Sequence, residues 1–307
     1  MVQANSLSKI AIICGPTGSG KSELAVKIAE KFNGEVISAD SVAIYKGLDI
    51  GSAKPKKTEM RGIPHHLIDV VTPFDEFSVS DYEKLALNAI ADILSRGKLP
   101  IICGGTGFYI NSVLYKLSYG NAYGNSEIRE KYEKICLEKG KEYLFELLKE
   151  KDEETALKLH PNDVVRVIRA LEIYDSTGVK KSAIKDEFTP RFDYIAFTID
   201  YPREELYNRI NRRVDKMIKD GLIEEVIGLL NSGVPVSAQS MQGIGYKETA
   251  EAIINGEEVD VERIKLNSRR YAKRQITFFK RYENLIHITP SEEGYKQAEN
   301  KIKEFLQ

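Results

Sequence analysis

Eight residues, Gly15-Pro16-Thr17-Gly18-Ser19-Gly20-Lys21-Ser22, constrain this chain most, because they fit the pattern G-x-x-x-x-G-K-[ST] at every fixed position. Their flanks are of the right kind. Lys9-Ile10-Ala11-Ile12-Ile13-Cys14 is an apolar run of strand length, and Leu24, Ile28 and Phe32 follow at helical spacing. A glycine-rich turn between a strand and a helix lets backbone N–H groups converge on an anion at the helix N-terminus. Lys21 adds a point charge there, and Ser22 adds a hydroxyl suited to Mg²⁺. The loop therefore binds phosphate. Which phosphate it binds is left open, since kinases, GTPases and transferases share this loop.

Strands and helices alternate around it. Glu35-Val36-Ile37-Ser38, Leu67-Ile68-Asp69-Val70 and Leu99-Pro100-Ile101-Ile102-Cys103 read as further strands, with a helix from Ser80 to Arg96. This alternation predicts an α/β fold with a mostly parallel sheet, helices on both faces and ligands at the carboxyl ends of the strands. Two loops there stand out, Ala39-Asp40-Ser41 and Gly104-Gly105-Thr106-Gly107. From Asn125 to Leu159 the chain is dense in Glu and Lys, with Ile128, Tyr132 and Ile135 on one helical face and Leu144, Leu147 and Leu148 on another. A helical insertion is expected over 118–187, interrupting a core formed by 1–117 and 188–307. The helix from Asp163 to Asp175 fits either body. Tyr194-Ile195-Ala196-Phe197-Thr198-Ile199 and Leu285-Ile286-His287-Ile288 return as strands.

Composition narrows the class. With 307 residues, 42% hydrophobic and 30% charged, the chain is ordinary globular protein. The absence of a signal-peptide pattern or a membrane-length apolar run leads to an expected cytoplasmic location. Cys14, Cys103 and Cys136 are odd in number and lack C-x-x-C spacing, which argues against a disulfide framework and a zinc site. A net charge of −1 means that nucleic-acid binding would need local clustering of cations.

Several polar residues invite two explanations. Asp40, after a strand and close in topology to the phosphate loop, could bind Mg²⁺ or accept a substrate proton, or it could simply form a turn. Thr106 could donate to a phosphate oxygen or mark a tight reversal. His65 and His66 point to opposite faces of a strand, so they cannot chelate one metal together, and packing or hydrogen bonding fits them better. Arg166 and Arg169, like Arg209, Arg212 and Arg213, present basic faces. The strongest such stretch is Arg263 to Tyr282, with eight Lys or Arg and no Asp or Glu. There Ala272, Ile276 and Phe279 form a stripe for docking on the core. Arg270, Lys273, Arg274 and Arg281 are left as a positive strip suited to a phosphodiester backbone.

Together these residues resemble the tRNA dimethylallyltransferase (tRNA isopentenyltransferase) family over nearly the whole chain. The likeness runs from the phosphate loop through Asp40-Ser41 to Gly47, Asp49-Ile50-Gly51-Ser52-Ala53-Lys54-Pro55, Ile63 to Asp69 and Gly104 to Tyr109. It continues through Asn162-Asp163, Arg166, Arg169 to Glu172 and Arg213 to Met217, then Gln242 to Glu248 and Tyr271 to Gln275. Many members have Gln where Ala43 stands and Trp where Phe279 stands. No C-terminal zinc finger of the eukaryotic kind follows, which points to the bacterial type.

The resemblance implies a core like that of P-loop nucleoside triphosphate hydrolases. It also implies transfer of a dimethylallyl group from dimethylallyl diphosphate to the N6 amine of the adenine just 3′ of the anticodon, position 37, in tRNAs reading codons that begin with U. Asp40 would be the base. Lys21, Thr106 and Arg213 would stabilise the leaving diphosphate together with Mg²⁺ at Ser22, and Gly15, Pro16, Thr17, Gly18, Ser19 and Gly20 would cradle it. Family segments that touch tRNA match Asp40, Ser41, Val42 and Ala43, Thr106, Arg129, Val165, Arg166 and Arg169. Further matches are Gln242, Gly243, Gly245, Tyr246 and Lys247, and then Lys273, Arg274, Gln275 and Lys280. No protein partner is implied, and a monomer is expected. The rival classes are a kinase using the loop on ATP, a prenyltransferase acting on free adenine nucleotide, and a non-enzymatic RNA-binding module. The basic strip disfavours the first, the strip with the insertion disfavours the second, and Lys21, Ser22 and Asp40 would be idle in the third.

Overall fold

Runs that are apolar at every position suit strands buried on both faces, and the computed structural model, which describes residues 7–118 and 125–307, places such a run at the centre of its sheet. The chain divides into two compact units. One takes the residues up to Leu114 and from Arg191 to Gln307, and the other is Tyr115–Pro190.

The first unit begins β1 (Lys9–Cys14), α1 (Lys21–Lys31), β2 (Gly34–Ala39), α2 (Lys57–Met60), β3 (His65–His66), α3 (Val79–Ser95), β4 (Leu99–Gly104) and α4 (Gly107–Leu114). The inserted unit runs β5 (Tyr115–Lys116), α5 (Ser126–Lys151), α6 (Glu153–Ala156), α7 (Val164–Thr177) and β6 (Glu187–Pro190). The first unit then resumes with β7 (Asp193–Ile199), α8 (Arg203–Asp220), α9 (Leu222–Asn231), α10 (Tyr246–Asn255), α11 (Val261–Phe279), β8 (Leu285–Ile288) and α12 (Glu292–Leu306).

Among the described residues six parallel strands form one sheet in the order β3-β2-β4-β1-β7-β8. Because side chains alternate across a strand, Ala11 and Ile13 face Leu24 and Ile28 of α1, in a core that also holds Ala298 and Ile302 of α12. Ile10 and Ile12, equally buried, point to the opposite face, on the side where α3 and α4 pack against β2 and β4. The carboxyl ends of β2 and β4 come very close. A Cβ on Gly104 would lie 2.1 Å from the carbonyl oxygen of Ala39, so only glycine ends β4 there. No helix among the described residues is long and apolar enough to cross a membrane.

Two expectations need correction. The strand foreseen at Leu67–Val70 lies earlier, at His65–His66. Leu67 and Asp69 take left-handed φ values of 61° and 56°, and the N–H groups of Asp69 and Val70 turn to the carbonyls of Ala43 and Ile44. On α11, Ile276 is exposed. The buried stripe is Ile264, Ala272, Gln275 and Phe279, because the Gln275 amide finds two backbone partners inside the protein. His66 hydrogen-bonds Glu35 at 2.7 Å and His65 the carbonyl of Ile63 at 2.9 Å.

In the inserted unit β5 and β6 pair antiparallel, and α5, broken at Gly140, packs on α7. Tyr132, Leu144, Leu148, Val167 and Leu171 form its core. Glu172 is fully buried there and accepts hydrogen bonds from the backbone N–H of Asn125 (2.7 Å), from Arg169 (2.8 Å) and from Arg129 (3.3 Å). Burial works to raise its pKa, but these donors outweigh burial and hold the carboxyl below its ordinary range.

Candidate active site

The loops that leave β1, β2 and β4 share one end of the sheet, so sequence-distant side chains meet there. After β1, Gly18 and Gly20 adopt φ values of 78° and 84°, which curl the loop into the start of α1. Ser19 Oγ and Lys21 Nζ both donate to the carbonyl of Pro16, at 2.9 and 2.6 Å. Burial brings the Lys21 ammonium down to about 8; Arg213 adds to the effect, while Cys103 and Asp40 oppose it. The Ser22 hydroxyl hydrogen-bonds the Cys103 thiol, and burial pushes Cys103 to about 11 and Cys14 to about 12, so neither thiol is a nucleophile at neutral pH.

Past β2, Asp40 Oδ1 accepts the N–H groups of Val42 (2.8 Å) and Ala43 (3.1 Å). Turn formation is therefore part of its work. Its second oxygen has no hydrogen bond among the described residues, and the side chain lines a cavity of about 340 Å³. Thr106, beyond β4, accepts the Ser41 N–H at 3.2 Å and donates to the Ser41 hydroxyl at 3.4 Å, and its hydroxyl also meets that of Tyr271. Burial, helped by Asp40, pushes the Tyr271 hydroxyl to about 12, which keeps it a proton donor. Gln275 bridges two of the loops, accepting the Thr17 N–H at 2.9 Å and donating to the Gly105 carbonyl at 3.0 Å.

Thr17, Lys21, Ser22, Asp40, Ser41, Val42, Ala43, Arg213, Gln242, Gly243, Arg274 and Gln275 all face this cavity. Val36, Ile68, Ile210, Val214, Met217 and Ile264 give it an apolar wall. A second cavity, about 420 Å³, shares Lys21, Ser22 and Arg213 with the first and is lined besides by Gly18, Gly20, Arg209, Arg212 and Lys216. Arg209 donates to the Gly18 carbonyl at 2.9 Å, and Arg213 to the Ser52 carbonyl at 3.1 Å. Five cations around a helix N-terminus, Lys21 among them, favour a multiply charged anion. Among the described residues no three His, Cys, Asp or Glu side chains cluster as metal ligands. A cation here would have to take its ligands mainly from that anion and water, as Mg²⁺ does.

The other expected contact residues are more scattered. Lys273, Arg274 and Lys280 are exposed on or beside α11, together with Arg270 and Arg281. Arg263 and Lys265 pair instead with Glu251 and Asp215, and Arg269 bonds Asn211. Lys247 is exposed, but Gly245 is buried and the Tyr246 side chain has no solvent exposure, its hydroxyl lying 2.5 Å from Glu225. In the inserted unit Val165 and Arg166 are exposed, while Arg129 and Arg169 hold Glu172. Sequence inspection gave no role to Tyr271 or Glu225. Tyr271 lies in a quoted motif, whereas Glu225 has no local signal because its backbone partners at residues 49–51 are more than 170 positions away.

A sequence profile of the IPP transferase family matches residues 43–282. The chain is 53% identical over 285 residues to the tRNA dimethylallyltransferase of Caldanaerobacter subterraneus, covering 90% of each. With that of Bacillus cereus it shares 48% over 276 residues, 89% of this chain and 87% of the other. Its fold is similar to the full-length tRNA isopentenylpyrophosphate transferase of Bacillus halodurans (TM-score 0.73, 38% identity, 97% of each chain). It is also similar to a eukaryotic dimethylallyltransferase acting on tRNA (TM-score 0.80, 31% identity, 97% of this chain and 77% of the other).

Proposed function

The chain belongs to the IPP transferase family, the tRNA dimethylallyltransferases, and from that membership we propose the part that each residue of the cavity plays. The protein is an enzyme that prenylates A37 of tRNA. In our reading the donor is dimethylallyl diphosphate, the acceptor is the N6 amine, and the tRNAs are those reading codons that begin with U. The observation that carries this reading is a single cavity in which the phosphate loop and Lys21 face the Asp40 carboxylate, with the basic face of α11 beside it.

The amine nitrogen attacks the first carbon of the dimethylallyl group, the carbon–oxygen bond breaks, and the diphosphate leaves with the bonding pair. Asp40 takes the amine proton on its free oxygen. N–H groups of Gly18, Ser19 and Gly20, with Lys21 and Arg213, hold the charge that develops on the diphosphate, and Thr106 sits at the bridging oxygen. The Ser22 hydroxyl would hold Mg²⁺, which adds charge neutralisation at the leaving group. The apolar wall shelters the hydrocarbon. On the acceptor side Ser41, Val42, Ala43, Gln242 and Gly243 meet the adenine, which leaves its stack in a single-stranded loop more cheaply than in a duplex. Lys247, Lys273, Arg274 and Lys280 follow the tRNA backbone. Residues 118–187 form a tRNA-contacting insertion through Arg129, Val165, Arg166 and Arg169. Tyr246 and Gln275 act from behind, through the backbone that they hold. The enzyme works as a cytoplasmic monomer.

Incubation with labelled dimethylallyl diphosphate and either unmodified tRNA or AMP tests the assignment. Label should enter tRNA with release of diphosphate. Label entering AMP efficiently but not tRNA would move the protein to the free-nucleotide class, and ATP turnover without prenyl transfer would make it a kinase.

A further inference from the structure

Residues 49–52 form a loop gripped from two sides by consecutive helices. Glu225 of α9 accepts the N–H groups of Asp49 (3.0 Å), Ile50 (2.8 Å) and Gly51 (3.2 Å) and the hydroxyl of Tyr246 (2.5 Å). Tyr246, at the start of α10, accepts in turn the Ser52 N–H at 3.3 Å, and a Cβ on Gly51 would lie 2.5 Å from its ring. From the other side Arg213 of α8 donates to the Ser52 carbonyl. The loop continues as Gly51, Ser52, Ala53, Lys54 and Pro55 into the cavity wall, and Ala53 is left-handed with φ 47°. A non-glycine residue in that region persists only where its surroundings hold it. Four donors on one half-buried carboxylate make a strong, directional anchor.

Arg213 depends on that anchor. Its hydrogen bond to the Ser52 carbonyl is its one hydrogen bond among the described residues, and no carboxylate pairs with it there. A shift of Ser52 therefore moves the guanidinium. We propose that Glu225, acting with Tyr246, is a positioning residue for prenyl transfer: it fixes the 49–52 loop and so aims Arg213 at the donor diphosphate. The proposal rests on the reading of Arg213 as a leaving-group residue.

Steady-state kinetics with dimethylallyl diphosphate and tRNA, combined with a double-mutant cycle, test it. Glu225→Gln should raise the donor KM and lower donor kcat/KM by about 10- to 100-fold, the cost of a misplacement near 1 Å. Its tRNA affinity, measured by filter binding, should stay within about twofold. Tyr246→Phe should shift the same quantities in the same direction by less. In an Arg213→Ala background Glu225→Gln should cost less than about threefold more, since effects routed through one group are not additive. The full factor reappearing in that background, or an unchanged donor KM in folded Glu225→Gln enzyme, would overturn the proposal. If Glu225→Gln does not fold, Tyr246→Phe carries the same cycle. Parent-like kinetics of Arg213→Ala would overturn the leaving-group reading together with the proposal, a result distinct from additivity.

Discussion

Asp40 has two oxygens in two situations, and an amide can mimic only one of them. In Asp40→Asn the remaining carbonyl oxygen can still accept the Val42 and Ala43 N–H groups, so the turn survives. The base is lost. Transfer should fall roughly 10²–10⁴-fold, with tRNA affinity within a few fold; near-parent turnover would remove Asp40 from the proton's path. Lys21 supplies a pH signature. Because burial lowers its folded pKa to about 8 while the unfolded lysine stays near 10.4, the unfolded chain binds more protons between those values, and this group's contribution to stability rises with pH across that window. Donor binding runs the other way. A diphosphate needs the ammonium, so binding above pH 8 must take up a proton, and the donor KM should climb from there upward. Lys21→Arg, which does not titrate in this range, should show no such climb whatever its rate.

Elements explain why parts of this fold could be foreseen and others not. The phosphate loop, β1, β4 and β8 were legible because each is a local pattern: a glycine motif, or an apolar run that every neighbour in a parallel sheet accepts. The displaced β3 and the outward Ile276 were not, since left-handed residues at 67 and 69 and a twice-bonded glutamine at 275 are settled by partners distant in sequence. That Asp40 and Arg213 line one cavity was legible only through family likeness. Glu35 shows the same limit. Almost fully buried in β2, it binds Arg96 at the end of α3, Lys98 before β4 and His66 of β3. The Arg96 guanidinium, opposed by burial and joined by Lys98 and His66, holds its carboxyl well below the usual carboxylate range. The stability that it adds is therefore complete above the unfolded value near 4.3 and lost as pH falls below it. Glu35→Gln should destabilise by about 2–3 kcal/mol at pH 7 in urea unfolding, with the gap to the parent shrinking below about pH 4. On α11, replacing Lys273 and Arg274 with Gln should flatten the salt slope of tRNA binding by roughly one to two units and leave donor binding little changed. An unchanged slope in folded protein would take the helix off the phosphates.

At the scale of the whole molecule, the residues proposed for chemistry and those of α11 proposed for recognition meet at one end of the sheet, and they are not separate parts. Gln275 belongs to the helix proposed to lie along tRNA, and its amide is bonded to both the phosphate loop at Thr17 and the following loop at Gly105. A substitution such as Gln275→Leu leaves one buried donor and one buried acceptor unpaired, and should weaken both substrates rather than one. Calorimetry of each ligand with and without the other reads this directly. Linkage makes the relation reciprocal: whatever factor tRNA applies to donor affinity, the donor must apply to tRNA affinity. With the amide intact that factor should differ from one, and in Gln275→Leu it should move toward one. If that factor exceeds one, a reactive allylic diphosphate would be held most firmly when an acceptor is there to consume it.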